Sequence, residues 1–173
     1  EDILNLEYYN PTKIVFGENS IFKLSNLIDK NYKILVLIDS GAIKSNAKLK
    51  NDIETVLANY QHIIFFQDNI NSEYSELLPI VEIAQKENFN YILAIGGGSI
   101  IDGAKFVACA INFPKFLEPW QLLKVEGYNL VKNILPLGVV LTLPASSSEI
   151  NPYFVISRKE FNCKIACYAP MIY

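Results

Sequence analysis

Three glycines followed by a serine occupy residues 96–99, between an uncharged apolar run at 91–95 and a longer apolar segment. The run is typical of a strand buried on both faces of a parallel sheet. The glycines permit a sharp turn and close approach of a ligand to the peptide groups. A helix beginning here would offer N–H groups and a partial positive charge, which favours a phosphate. The motif is neither G-x-G-x-x-G, because Ile101 replaces the third glycine, nor a P-loop, and a phosphate site and a plain turn both fit it.

Two polar residues at the start of this segment predict how the helix is capped. Ser99 has a side chain suited to the N-cap position. Asp102 follows three residues later, the spacing at which a side chain reaches back to the cap. We therefore predict a capping box made by these two residues.

Polar side chains also follow two other predicted strands. An aspartate closes the strand predicted at 33–38, and a hydroxyl-rich loop follows the strand predicted at 134–143. Ligands of open α/β sheets bind outside the carboxyl ends of the strands, so these residues should converge with the glycine turn. The residues expected at this shared edge are Asp39, Gly97, Gly98, Ser99, Thr142 and Ser146.

A dinucleotide suits such a groove. Glycine amides can bind its pyrophosphate, and the hydroxyls of Thr142 and Ser146 can bond phosphate, ribose or an amide. Asp39 can accept hydrogen bonds from ribose hydroxyls and would repel a 2′-phosphate, which favours NAD(H) over NADP(H). The alternative is that Asp39 caps the following helix in an Asx-type turn.

Strand and helix patterns alternate along the first two thirds of the chain, which predicts an open parallel α/β sheet with a Rossmann-like arrangement. A β-hairpin is predicted at 153–168, around Phe161 and Asn162, and the last three residues read as the start of another strand. The predicted strands of the sheet are 13–17, 33–38, 62–66, 91–95 and 134–143, and helices are predicted after 18–20, after 39–41, at 75–86 and from Ser99.

The 173 residues are 51% hydrophobic and 19% charged, with a net charge of −3, as expected for a globular domain. Scattered Lys and Arg residues argue against nucleic acid as a partner. The absence of a long apolar run and of a signal peptide argues against a membrane and for a cytoplasmic protein. Three cysteines, an odd number without a CxxC pair, favour reduced thiols.

Residue sets of common catalytic sites are missing. His62 is the only histidine and lies in an apolar context, so we predict a structural or surface role. The serines at 146–148 do not form a G-x-S-x-G elbow, which argues against a hydrolase nucleophile. Cys109 is predicted to be in the core, and Trp120 to be a packing residue.

The order of five motifs resembles the N-terminal, nucleotide-binding half of the iron-containing alcohol dehydrogenase family, particularly its butanol dehydrogenase-like branch. The resemblance covers nearly the whole chain. The motifs are FGENSI at 16–21, AIGGGSIIDGAKF at 94–106, PW at 119–120, LTLPASSSEIN at 141–151 and VISRKE at 155–160.

The resemblance implies specific roles for residues of these motifs. The pyrophosphate-binding glycines and serine fall on Gly97, Gly98 and Ser99, and the acid of that motif on Asp102. Other nucleotide-side positions fall on Asp39, as in NAD-preferring members, and on Thr142, Ser146 and Lys164. Two departures are visible: Ser147 stands where the family commonly has a glycine, and the prolines that flank an asparagine after the third strand are lost at 70–72.

The resemblance also implies what lies outside these residues. Family members hold Fe²⁺ or Zn²⁺ with one aspartate and three histidines of an all-helical domain beyond the point where this sequence stops. We therefore interpret residues 1–173 as an N-terminal NAD(P)-binding domain, truncated before that domain and inactive alone. The implied full-length enzyme interconverts small primary alcohols and aldehydes and can form a homodimer. The alternatives are a stand-alone or degenerate nucleotide-binding module and a non-redox relative of the dehydroquinate synthase type.

Overall fold

A computed structural model describes residues 7–68, 71–124 and 127–173. Four parallel strands form the main sheet in the order β2-β1-β3-β4. Parallel strands need a long connection, and at least one helix lies between each strand of this sheet and the next along the chain. The strands are β1 (Lys33–Asp39), β2 (Gln61–Gln67), β3 (Tyr91–Gly96) and β4 (Leu137–Leu141).

Helices cover both faces of this sheet. Alternate residues of β1 point to opposite faces, and they belong to two separate apolar clusters: Leu35 and Leu37 pack in one, Ile34, Val36 and Ile38 in the other. The predicted Rossmann-like α/β arrangement is therefore confirmed. The helices are α1 (Leu24–Leu27), α2 (Ser40–Ser45), α3 (Ala47–Leu57), α4 (Tyr74–Lys86) and α5 (Gly98–Ala110).

The predicted hairpin is present as a separate two-stranded antiparallel sheet, formed by β5 (Tyr153–Arg158) and β6 (Cys163–Tyr168). Its turn contains Asn162 in the left-handed conformation at φ 45°, which asparagine tolerates better than most residues. Arg158 fastens the hairpin to the rest of the fold, because its guanidinium lies 5.3 Å from the Trp120 ring centroid and pairs with Glu118 at 2.7 Å. Trp120 is 9% exposed, which confirms its packing role.

The structure differs from the predicted elements in three places. Residues 13–17 form no strand, because a strand needs a hydrogen-bonded neighbour and none is paired with them in the described part of the chain. The single helix predicted after β1 is two helices, separated at Asn46, whose side chain caps the second of them by accepting from Leu49 N at 3.0 Å. The apolar end of the sequence forms a 3₁₀ turn at Pro170–Ile172 rather than a strand.

The cysteines answer one of the predictions. All three cysteines are free thiols, and Cys109 is 1% exposed within the core as predicted. None of the helices in the described ranges combines the length and the apolar character needed to span a membrane.

Candidate functional site

The carboxyl ends of the four strands lie along one edge of the sheet. Strand order reverses between β1 and β3, because the chain continues from β1 to β2 on one side and from β3 to β4 on the other. A crevice at such a switch point is where open α/β sheets bind ligands. Asp39 ends β1 and Gly96 ends β3, so the two residues flank this position.

The glycine turn starts α5 one residue earlier than predicted. Gly97 is the N-cap and α5 begins at Gly98, so the predicted N-cap role of Ser99 is wrong. The carbonyl of Gly97 accepts the N–H groups of Ile100 at 3.1 Å and Ile101 at 3.2 Å, which closes the first turn without any side-chain cap. The extended backbone at Gly97 makes this possible and places Ser99 inside the first turn.

The three glycines have different surroundings. A Cβ on Gly96 would lie 2.6 Å from Ile100 Cγ1 and 3.1 Å from Asp39 Cβ, so packing requires a glycine there. A Cβ on Gly98 would lie 2.6 Å from the Ser146 hydroxyl oxygen. A Cβ on Gly97 would lie 3.9 Å from Leu143 Cβ, an ordinary van der Waals contact, so Gly97 is the one of these three glycines that has room for an added atom. Gly97 is also half-buried rather than buried, and room at the N-terminus of a 13-residue helix suits a phosphate.

The loop after β4 is drawn to the glycine turn. Thr142 N donates to the Gly96 carbonyl oxygen at 3.1 Å, so Thr142 continues the pairing of β4 with β3. Ser146 lies against Gly98, because its hydroxyl oxygen is at the position where a side chain on Gly98 would begin. The structure therefore brings Thr142 and Ser146 together with the glycines, as the sequence predicts.

Asp39 acts as a helix cap in this structure. Its Oδ1 atom accepts from Gly41 N at 2.8 Å and from Ala42 N at 3.4 Å, at the start of α2. This is the alternative that the sequence left open. Both bonds end on one carboxylate oxygen, so the cap is compatible with a second role for Oδ2 toward a ribose, which stays a prediction.

Asp102 does not form the predicted capping box with Ser99. Its Oδ1 accepts from the Ser148 hydroxyl at 2.6 Å and its Oδ2 from Val155 N at 3.0 Å, so it faces the loop after β4 and the hairpin. Burial raises the pKa of Asp102, and the two hydrogen bonds and the positive charges of Lys105 and Lys164 offset part of that rise. Any contact of Asp102 with a nucleotide remains a prediction.

Lys105 is a further polar residue near the glycine turn, and no role was predicted for it from the sequence. It is 2% exposed and its amino group donates to the carbonyl oxygens of Asn151 at 2.6 Å and Tyr153 at 2.8 Å. Burial lowers its pKa from 10.5 to about 8, although the charges of Asp102 and Glu149 act in the opposite direction. The available signal was the spacing: Lys105 lies one helical turn after Asp102 in an otherwise apolar segment.

Lys164 lies on β6 and not at the strand edge. It is exposed, and its amino group is 3.4 Å from Asn71 Oδ1. Beside Asn71, the hydroxyl of Ser72 donates to the carbonyl oxygen of Ser99, and the Ser72 carbonyl accepts from Ser157 N at 2.8 Å. Residues 71–72 thus connect the glycine turn to the hairpin that carries Lys164. Of the segment in which the flanking prolines are lost, Ile70 lies outside the described residues.

Ser147, which replaces the glycine common in the family, has φ 55° and ψ 29°. That is the left-handed region, where a side chain costs free energy and glycine does not. The substitution therefore keeps the turn's backbone conformation at the expense of local strain.

Within residues 7–68, 71–124 and 127–173, no three His, Cys, Asp or Glu side chains are grouped so that they could hold a metal ion. His62 is exposed on β2 with its Nδ1 atom 2.9 Å from the Tyr60 carbonyl oxygen, in agreement with the structural or surface role predicted for it.

Comparison with known proteins finds relatives that are alcohol or aldehyde oxidoreductases. The NADPH-dependent aldehyde reductase YqhD of Escherichia coli K12 is 34% identical over 95% of this chain and 42% of its own length. A crystal structure of E. coli K-12 YqhD superposes with a TM-score of 0.87 over 96% of this chain and 42% of that one. The NADH-dependent butanol dehydrogenase A of Thermotoga maritima superposes with a TM-score of 0.86 at 29% identity, over 98% and 42%.

The chain therefore spans about two fifths of the length of these relatives. A family model described as "Iron-containing alcohol dehydrogenase" matches residues 11–173, a range that includes the glycine turn, the loop after β4 and the hairpin. The chain accordingly belongs to the iron-containing alcohol dehydrogenase family.

Proposed function

We propose that these residues bind the nicotinamide dinucleotide of an NAD(H)-linked alcohol dehydrogenase that interconverts primary alcohols and aldehydes. The observation that carries the proposal is the uncrowded glycine turn at Gly97 at the start of α5, with Thr142 and Ser146 beside the flanking glycines. Helix N-terminal amides and hydroxyls provide the donors that a pyrophosphate needs. The bound nicotinamide would supply hydride exchange with the substrate.

Each predicted site residue has a part in this proposal. Gly97, Gly98 and Ser99 bind the pyrophosphate, and Thr142 and Ser146 bond the phosphate, ribose or amide groups. Asp39 faces the adenosine ribose, while Asp102 and Lys164 complete the nucleotide side from α5 and from β6. These assignments come from the family resemblance and are supported by the positions of the glycines, Thr142 and Ser146 at one edge.

The preference for NAD(H) over NADP(H) rests on Asp39. A carboxylate at the end of β1 would repel a 2′-phosphate and accept bonds from ribose hydroxyls. The relatives include both an NADPH-dependent aldehyde reductase and NADH-dependent butanol dehydrogenases, so the choice depends on this chain's own residues. A titration of the protein with NADH and with NADPH, followed by nicotinamide fluorescence, should give a lower Kd for NADH.

The catalytic half of the proposal concerns the complete protein that carries this chain. On the family resemblance, we assign the Fe²⁺ or Zn²⁺ to an all-helical domain outside these residues and expect residues 1–173 alone to be inactive; the described residues contain no group of metal ligands. The enzyme would be cytoplasmic and could form a homodimer. With added Fe²⁺ or Zn²⁺, the complete protein should convert butanal, NADH and a proton to butanol and NAD⁺.

Two results would contradict the proposal in different ways. If neither NADH nor NADPH binds, the dinucleotide site is wrong. If the nucleotide binds but no metal-dependent oxidation of NADH appears, the chain is a nucleotide-binding module without catalysis. A crystal soaked with NAD should show the pyrophosphate above the glycine turn if the site is correctly placed.

A further inference from the structure

Lys105 is buried deep in the fold, yet all of its hydrogen bonds reach one short segment after the loop that follows β4. Its amino group donates to the Asn151 carbonyl at 2.6 Å, to the Tyr153 carbonyl at 2.8 Å and to Asn151 Oδ1 at 3.4 Å. Burial of a lysine is costly unless its donors are all paired. The hydrogen bonds to residues 151–153 offset the free-energy cost of burying Lys105. Lys105 therefore stabilises the arrangement of residues 151–153 in which these bonds form.

Asn151 continues the connection toward the glycine turn. Its side-chain N–H₂ group donates to the Ser147 carbonyl at 2.8 Å and to the Ser146 carbonyl at 3.4 Å. Its Oδ1 atom accepts from Tyr153 N at 2.9 Å, which fixes the orientation of the amide. Ser146 in turn places its hydroxyl beside Gly98.

The loop after β4 needs this support because its backbone is strained at Ser147. Ser147 has φ 55°, a conformation that costs a serine free energy, so the turn persists only if its surroundings hold it. Asp102 holds the loop at Ser148 and Lys105 holds it through Asn151, from two residues one helical turn apart on α5.

We propose that Lys105 is a positioning residue for nucleotide binding, which acts through Asn151 to hold the Ser146 hydroxyl beside the glycine turn. The expected effect on NADH binding rests on the proposed function. The positioning of residues 146–151 by Lys105 does not depend on which ligand binds. The hydrogen bonds of Lys105 go to Asn151 and Tyr153, so its effect on a nucleotide is indirect.

The test compares the wild type with Lys105→Met, which keeps the length of the side chain and removes every donor, in the complete protein. We expect Kd and KM for NADH to rise about tenfold, the low end of the range seen when a side chain that orients a metal ligand is lost, with kcat unchanged. The matched control is Tyr60→Phe, which removes a buried hydrogen bond to Ile28 at 3.1 Å on the other face of the sheet. This control should leave the Kd unchanged although it also lowers stability.

Hydrogen exchange measured without nucleotide tests the structural part separately. The amides of residues 146–151 should exchange faster in Lys105→Met and at the wild-type rate in Tyr60→Phe. If exchange in this loop and the Kd are both unchanged, the proposal is wrong. If the wild type binds neither NADH nor NADPH, the proposed function fails, while faster exchange would still support positioning by Lys105.

A second variant keeps the test valid if Lys105→Met does not fold. Asn151→Asp retains the oxygen that Lys105 and Tyr153 N use and removes the donors to Ser146 and Ser147. We expect it to weaken NADH binding, and the double variant to bind no more weakly than the worse single one, because both act on one connection. Wild-type affinity in Asn151→Asp, or additive losses in the double variant, would overturn the route through Asn151.

Discussion

The hydroxyl oxygen of Ser146 occupies the space that a side chain on Gly98 would need, because a Cβ on Gly98 would lie only 2.6 Å from it. The Ser146 Cβ is farther away, at 3.8 Å, so the conflict concerns the hydroxyl alone. One contact thus joins the glycine turn of α5 to the loop after β4. Residues 48 positions apart in sequence have to fit each other at this point.

Gly98→Ala should therefore act by displacing the Ser146 hydroxyl. We expect it to weaken NADH binding as much as Ser146→Ala does, and the double variant to add nothing, since the shared contact is already lost. The free energy of unfolding should change by less than about 1 kcal/mol, because alanine favours the helix more than glycine does. Calorimetric titration and denaturant unfolding check this, and additive losses of affinity would contradict it.

Alanine substitutions at Gly97 and Gly96 should have different effects: the first on NADH binding and the second on stability. Gly97→Ala meets no atom within 3.9 Å, so it should leave the thermal midpoint unchanged and raise the Kd for NADH by occupying the space above the turn. Gly96→Ala would place its Cβ 2.6 Å from Ile100 Cγ1 and should destabilise the fold by about 1–3 kcal/mol, as overpacking does. A Gly97→Ala protein with wild-type affinity would argue against a pyrophosphate at this turn.

Ser147→Gly should stabilise the protein. At φ 55° a serine is strained and a glycine is not. Glycine loses more conformational entropy on folding, which cancels part of this benefit, so the free energy of unfolding should rise by about 0.5–1 kcal/mol. Ser147→Ala is the matched control, because it removes the hydroxyl but keeps the Cβ. Equal midpoints of urea unfolding for Ser147→Gly and Ser147→Ala would show that strain at this residue is not relieved by glycine.

Asp39→Asn separates the charge of Asp39 from its capping role. The amide oxygen can still accept from Gly41 N and Ala42 N, so the thermal midpoint should stay close to that of the wild type. The loss of the negative charge should improve the affinity for NADPH relative to NADH. Asp39→Gly should show the same change in preference together with a loss of only about 0.3 kcal/mol from the missing cap, because glycine is itself tolerated at an N-cap. An unchanged ratio of the two Kd values would remove Asp39 from cofactor selection.

Lys105 should make stability depend on pH above 8. Its folded pKa of about 8 lies below the 10.5 of an ordinary lysine, so between these values the unfolded chain holds a proton that the folded protein has released. The difference in unfolding free energy between wild type and Lys105→Met should therefore rise with pH in this window, by up to about 1.4 kcal/mol per pH unit.

The comparison with Lys105→Met is needed because two buried thiols act in the opposite direction. Burial raises the pKa of Cys109 to about 12 and that of Cys167 to about 11, above the ordinary 9.0, so their contribution is lost as the pH rises past 9. Both variants contain these thiols, and the subtraction largely cancels them. Urea unfolding at intervals from pH 7 to 10 measures the difference, and a flat difference would show that Lys105 keeps an ordinary pKa.

The sequence by itself determined the sheet and the position of the glycine turn. The uncharged run at 91–95, rich in branched and aromatic side chains, is typical of a strand buried on both faces, and the glycines that follow it indicate a turn. The convergence of Asp39, Gly97 and Thr142 followed from the rule that parallel strands share a carboxyl edge. Short-range chemistry and one topological rule were sufficient for these features.

Only the tertiary structure decided which partners the polar side chains take. Asp102 has the right spacing for a capping box, but Ser148 and Val155 supply better donors from distant parts of the chain. The spacing of Lys105 from Asp102 places both on one face of α5 but does not name the acceptors of Lys105, the nearest of which lies 46 residues away in sequence. A hydrogen bond is selected by which donors and acceptors folding buries together, and the spacing of residues along one helix does not contain that information.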